Sequence, residues 1–384
     1  MAEGLIPRPG FKTAWRAECG YLRRSRWDLA FVTVLPLAVL VVMAWLLSAG
    51  GMRALPVAVV DQDRSPDSRL LLRMLDASPG VSVVAQPDTP DAAFSLVRRL
   101  DAFAVVVVPR DFTRRMRRGE AVAVLVHYNA SYLASGQSAM RDIDDAVGAF
   151  NARMLPERLG AQLGPARLRA APIAAQATVL FNPGRSYALF LLPLVAAAVL
   201  SLCGVLAMTV ATGRELRDGG AATWLGDRPF PAIVGKLLPY VLLFSAYGLI
   251  FALWVAHTHG RGPAGSVALL ALGQVLLHLA GGGLALLFVG VTRDLGSALS
   301  AVGLMVGTAL AFTGTTFPLI DAPAFVRIWS AMLPLTAYLD LQMQQLLMGV
   351  PARHAWRPVL ALLAVALVAG GVGAWRLRAA VRTS

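Results

Sequence analysis

The chain is 384 residues long and 57% hydrophobic, with a mean hydropathy of +0.63, which is more apolar than a soluble globular domain. Its net charge of +13 and pI near 10.8 would suit nucleic acid, yet no basic platform interleaved with aromatics for base stacking is present, so nucleic acid is excluded as a partner. Only Cys19 and Cys203 occur, which excludes a disulfide-stapled fold.

Residues 1–28 form a basic leading segment. Within it, "KTAWRAECGYLRRSRWD" (12–28) puts Trp15, Cys19 and Leu22 on one helical face, with Arg16, Arg23, Arg24 and Arg26 around them. A helix lying at the inner headgroup layer fits this pattern, and a plain basic flank is the other reading. About 20 apolar residues are needed to cross a bilayer. Six runs reach that length, near 29–49, 187–212, 237–257, 264–291, 295–317 and 358–375. The first run is longer than the core of a cleaved signal and leads straight into folded-looking sequence, so it reads as an anchor.

Residues 50–186 read as an inserted α/β domain. Strands are expected at "LPVAVVDQD", "VSVVA", "AFAVVVVP" and "VAVLVHYN", with helices between them and a long amphipathic helix from Ser131 to Gln162. His127 is the domain's only histidine, and no HExxH, GxSxG or paired-cysteine pattern occurs in it. Asp61, Asp63 and Asp67 resemble a calcium loop superficially, but they lack its glycine and terminal glutamate. Turn and cap duty accounts for them.

The later spans hold few ionisable residues. His278 is the clear exception, with Gln274 one turn before it; the expectation is a histidine hydrogen-bonded to a neighbouring helix. Gly281, Gly282, Gly283, Gly303 and Gly307 would allow close helix approach. Outside 50–186, most Lys and Arg residues fall on one side: Arg8 to Arg26, Arg214, Arg217, Arg228, Lys236, Arg293, Arg376, Arg378 and Arg382. Only Arg261, Arg327, Arg353 and Arg357 fall on the other. Both termini, including the 376–384 tail, are therefore expected in the cytoplasm and residues 50–186 outside. The segment 318–356, broken by Pro318, Pro323 and Pro334, reads either as short helices re-entering the outer leaflet or as a loop with interfacial helices. The preponderance of Arg over Lys, with abundant Ala, hints at a GC-rich bacterial genome and hence a bacterial inner membrane.

Between the second and third spans lies "GRELRDGGAATWLGDRPFPAIVGK" (213–236), too polar for hydrocarbon yet carrying Trp224 and Leu225. These pieces, together with "VAVVDQDRSPDSRLLLRML", "AVVVVPRDFTRRMRRGEAV", "LFNPGRSYALFLLPLVAAAVL" and "FTGTTFPLIDAPAFVRIWSAMLPLTAYLDLQMQQLLMG", resemble in order the permease subunits of type-2 ABC transporters, in the branch with a large external domain after the first span. The resemblance implies a polytopic α-helical membrane protein with six transmembrane helices and an inserted external α/β domain. It also implies that 213–236 couples to a cytoplasmic ABC ATPase. Arg214 and Glu215 match the start of the family's coupling loop, Trp224 and Leu225 its apolar contact, and Arg228 and Pro229 its end, with Gly235 and Lys236 the exit. Ala222 departs from the acidic residue usual there.

This chain has no GxxxxGK[ST] phosphate loop, so no cofactor is expected in it, and ATP with magnesium is expected on the partner. The resemblance further implies a second permease copy or paralogue, a periplasmic membrane-fusion adaptor, and a passage lined in part by Thr313, Thr315, Thr316 and Phe317. The expected activity is export of an amphiphilic, drug-like or lipid-like molecule. An ion-coupled secondary transporter and a membrane-anchored sensor with an external ligand-binding domain are the rival readings.

Overall fold

The computed structural model describes residues 10–47, 54–118, 120, 122–128, 133–162, 186–258, 262–315, 319 and 322–383. The chain divides into two compact units, Ala49–Thr178 on the one hand and Met1–Ser48 with Val179–Ser384 on the other.

The second of these is helical. It holds α1 (Phe11–Arg24), α2 (Arg26–Val32) and α3 (Val34–Leu46). After the inserted unit come α8 (Tyr187–Arg217), α9 (Ala221–Leu225), α10 (Pro229–Thr258), α11 (Val267–Thr292), α12 (Leu295–Gly307) and α13 (Ala309–Phe312). Helices α14 (Ala324–Met332), α15 (Pro334–Met343) and α16 (Trp356–Thr383) complete it. Among the described residues, six stretches are long and apolar enough to cross a membrane: Arg26–Leu46, Ala188–Arg217, Pro229–Thr258, Val267–Thr292, Leu295–Phe312 and Trp356–Arg382. The first is broken at Thr33, because Pro36 has no N–H to offer the Val32 carbonyl.

Three helices outrun their apolar sequence. Helix α8 continues through Arg214 to Arg217, α10 begins at Pro229, and α16 runs on through the expected tail as far as Thr383. Arg, Leu and Glu are good helix formers, so polar composition alone does not end a helix. The polar loop expected over 213–236 therefore contracts to 218–228, with α9 inside it. Side-chain caps fix several starts: Ser186, Ser266 and Asp294 accept from the backbone N–H three residues on in α8, α11 and α12. The Ser297 N–H bond holds the Asp294 carboxyl below the usual range.

Helix α11 is central, touching α8, α10, α15 and α16. Lipid supplies no hydrophobic drive for helices to pair, so close packing must. Gly283 lies against Gly370 and Ala366, and Gly281 against Val205, as small residues in a span allow. Gly303 and Gly307 are different, since among the described residues nothing outside their own helix lies within 4 Å of a Cβ at either position. Segment 318–356 consists, in its described part, of α14, α15, a π turn (Gln344–Met348) and a 3-10 turn (Ala352–His354). Helix α15 is buried through Leu335, Tyr338 and Leu339, whereas α14 shows Phe325, Ile328 and Met332.

In the other unit, β1 (Leu55–Asp61), β2 (Val81–Ala85), β3 (Ala104–Val108) and β4 (Leu125–Tyr128) form a sheet of order β2-β1-β3-β4. β1 pairs in parallel with β2 and β3, and β4 is antiparallel to β3. Helices α4 (Pro66–Asp76), α5 (Pro90–Arg98), α6 (Phe112–Arg117) and α7 (Leu133–Gln162) complete the unit. Alternation along β1 sends Val57 and Val59 toward Leu71, Ile143 and Phe150, and Ala58 and Val60 toward Ala93. With both faces covered, β3 is wholly apolar.

The aspartates of "DQDRSPDS" serve the turn. Asp61 accepts the backbone N–H groups of Asp63 and Arg64 and the Ser68 hydroxyl, and Asp63 accepts the Thr113 N–H. Burial pushes the Asp63 carboxyl up, but bonds from Ser65 and Thr113 outweigh it and hold the group below the usual range. No cluster of three metal-ligating side chains occurs among the described residues.

Candidate functional site

The loop between α8 and α10 is held from beneath by a carboxylate on a different helix. Glu18 of α1 is 1% exposed. Its Oε1 and Oε2 accept from Nη2 of Arg214 at 3.0 and 2.9 Å, its Oε2 from Nζ of Lys236 at 2.6 Å, and its Oε1 from the Tyr240 hydroxyl at 2.6 Å. Lys236 also reaches Oε1 of Glu215 at 2.6 Å. Two anions and two cations thus alternate, as charge removed from water requires. The Arg214 guanidinium carbon sits 3.4 Å above the Tyr21 ring, and the Tyr21 hydroxyl donates to Asp28. Gly235 makes this closeness possible, because a Cβ there would overlap the Phe11 carbonyl where α1 begins.

Arg214 and Glu215, read from the sequence as contacts for another subunit, are occupied within the chain; Arg214 is 9% exposed. Trp224 and Leu225, read from the sequence as the loop's apolar contact, turn toward their own bundle. Leu225 is 3% exposed and joins the bundle core, while Trp224 packs beside it, donates Nε1–H to the Ala232 carbonyl at 3.3 Å, and lies 5.3 Å from Lys236 Nζ. The five-residue α9 can bury one side only. Gly226, at φ 43° and ψ −148°, then reverses the chain into α10 in a region closed to other residues. What the loop and the first turn of α10 present outward is Ala222, Thr223, Asp227, Arg228 and Phe230, the last 74% exposed, with Pro229 half-buried. The exposed Arg217 donates to Asp218 at 2.9 Å and so keeps that carboxyl below the usual range.

Glu18 was not among the residues singled out from sequence, nor was Tyr240. The available signal was slight: one acid within a basic helix, four residues after the buried Ala14, and a Lys236–Tyr240 pair one turn apart.

A family model described as ABC-2 family transporter protein matches residues 26–375. The chain belongs to this family. It is thus the membrane permease component of an ABC transporter, a multi-pass membrane protein of a family that works with an ABC ATPase subunit. No curated protein matches the chain.

The other residues expected to matter in this ABC-2 permease are less well placed. Thr313 is buried, its hydroxyl 2.7 Å from that of Thr315 and 2.9 Å from the Leu310 carbonyl; Thr316 and Phe317 lie outside the described residues. His278 is buried against Phe244 of α10 and lies close to that residue's backbone, although neither ring nitrogen makes a well-formed hydrogen bond among the described residues. Gln274 makes the inter-helix bond, donating Nε2–H to Tyr338 at 2.6 Å. A buried imidazole so weakly bonded costs desolvation and returns little, so His278→Leu should leave stability in detergent unchanged or raise it by up to about 1–3 kcal/mol, read from the thermal midpoint. A fall of that size would mean that the ring has a partner in the working protein.

Proposed function

We propose that this ABC-2 permease exports an amphiphilic small molecule across a bacterial cytoplasmic membrane, using ATP bound with magnesium and hydrolysed on a separate ATPase subunit. In this reading both termini and loop 218–228 are cytoplasmic and the α/β unit is external, free to meet a periplasmic adaptor. A second copy or a paralogue completes the passage; the open Gly303–Gly307 face of α12 supports that pairing. Apolar spans with few charges suit lipid-like or drug-like cargo better than ions.

The observation that carries the reading is the loop itself. It is braced by the Glu18 cluster and anchored by Leu225, and with the first turn of α10 it presents Arg228 and Phe230 outward. A rigid short turn with one exposed aromatic and flanking charge suits insertion into a groove on a partner. Force applied there would pass through Arg214 and Lys236 into α8, α10 and α1 together.

Phe230→Asp should therefore cut ATPase capture in a pull-down at least about tenfold, an effect of about 1.4 kcal/mol or more, as loss of an aromatic anchor can cause. Elution and thermal midpoint of the permease should be unchanged. Undiminished capture by a folded Phe230→Asp permease would refute this placement of the contact.

A further inference from the structure

A cavity of about 630 Å³ opens beside the first span, within the ~300–1,000 Å³ range of small-molecule sites. The first span meets the bundle along a narrow seam of Val32, Pro36 and Leu40, and the cavity runs alongside it. Its walls are Phe31, Leu35 and Ala38 on one side and Ala207 and Val210 of α8 on the other. Asp28, Arg214 and Tyr240 also line it. Asp28 lies ten residues before Ala38, about 15 Å at 1.5 Å per residue. That is one leaflet of a hydrocarbon core about 30 Å thick. Arg214 is joined to Asp28 through Tyr21 and to Tyr240 through Glu18, so the polar groups gather at one end and the apolar walls extend from it.

The charges at that end are of both signs. Arg214 gives Nη2 to Glu18 and engages Tyr21, yet it still lines the cavity, where its charge can meet an acceptor. The Asp28 carboxylate receives its bonds from Tyr21 and Ser25 on Oδ2, and Oδ1 remains to accept from a cation. A purely anionic head would meet Asp28 unfavourably, and a purely cationic one would meet Arg214 so.

We infer that this groove binds one zwitterionic phospholipid or a close mimic from the leaflet at the Asp28 end. Its phosphate bonds Arg214, its primary ammonium bonds Asp28, and one acyl chain lies between Phe31–Ala38 and Ala207–Val210. Because Arg214 also belongs to the Glu18 cluster, an occupant would touch the brace of the coupling loop. The inference rests on the reading of residues 26–46 as a membrane span and deepens the proposed export function by naming an entry site.

The test uses the full chain reconstituted in vesicles of equal phosphatidylethanolamine and phosphatidylglycerol, then extracted in mild detergent, with retained lipid identified by native mass spectrometry. The wild-type chain should keep phosphatidylethanolamine over phosphatidylglycerol by about tenfold, as one charge-assisted hydrogen bond provides. Asp28→Asn should bring the two lipids to parity, and Ala38→Trp, which fills the groove from an exposed helix face, should release both while the elution profile stays monodisperse. Equal retention of the two lipids by wild type would overturn the proposal, as would full retention by folded Ala38→Trp. Efficient disulfide linking of two Leu35→Cys chains in a background lacking Cys19 and Cys203 would also overturn it, by showing that a second copy covers the groove. No ATPase enters these measurements, so a chain that retains lipid but captures no ATPase would refute the export reading alone.

Discussion

Replacing Glu18 by alanine should destabilise the membrane unit by about 3–5 kcal/mol, the usual result of removing one partner from a buried ion cluster. Arg214 and Lys236 would stay in place with only the half-buried Glu215 to balance them, and Tyr240 would lose its acceptor. Loss of the attraction is the smaller part of the effect. The larger part is uncompensated positive charge held out of water. Glu18→Gln preserves shape and one acceptor but removes the charge, so it should fall between alanine and wild type. Adding Lys236→Met to Glu18→Gln should recover part of the loss by removing one unbalanced cation, and this non-additivity distinguishes an electrostatic brace from a packing contact. The measurements are thermal midpoints in detergent, with hydrogen exchange across Phe11–Arg24. Wild-type protection of α1 in folded Glu18→Ala would show that the helix is held by other means.

The spans were legible because each carries its own signal: about 20 apolar residues declare a crossing whatever surrounds them. The α/β unit was legible for a similar reason, since the Val-rich run Ala104–Val108 and the Ser65–Pro66 start of α4 are local patterns. What the sequence left open was orientation. Trp224 and Leu225 are apolar residues in a polar loop, and composition alone cannot say whether such residues face a partner or their own core. The decision depends on α10 lying beneath them, with Ala232 and Lys236 placed to receive Trp224. Glu18 was hidden by the same kind of ignorance. Its partners are 196, 218 and 222 residues away, and nothing in "RAECGY" distinguishes a buried acid from a solvated one. The glycines divide likewise. Gly283 meets a helix, Gly303 and Gly307 meet open space, and the partner glycines Gly370 and Gly373 are unmarked until α16 is laid against α11.

In the coupling role proposed above, burial of Leu225 and Trp224 changes how the loop would transmit force. An exposed apolar tip would move with its partner and could slip against the bundle. With Leu225 in the core and Glu18 locking Arg214 to Lys236, the loop and the ends of α8, α10 and α1 form one packed block. Motion at Phe230 would then appear as tilt of whole helices, which is how packed elements move.

Gly373→Val should be among the most damaging single changes in the bundle, because α11 and α16 touch backbone to backbone there. A Cβ at Gly373 would overlap the backbone nitrogen of Leu287 and carbonyl carbon of Leu286, atoms that no rotamer change can move. The same seam continues at Gly283, where a Cβ would lie 2.9 Å from the Gly370 nitrogen, and at Gly290, 2.9 Å from the Gly373 carbonyl. A branched side chain in this contact should therefore cost at the upper end of the ~1–3 kcal/mol range for overpacking, or beyond it, and push α16 away from α11. Gly303→Val gives the comparison, since its Cβ would meet no described residue of the chain and the thermal midpoint of the monomeric fraction should match wild type. Measuring both in detergent separates seam from helix propensity, since both replace a helical glycine by valine. Equal midpoints for the two variants would mean that α11 and α16 do not pack this closely in the membrane.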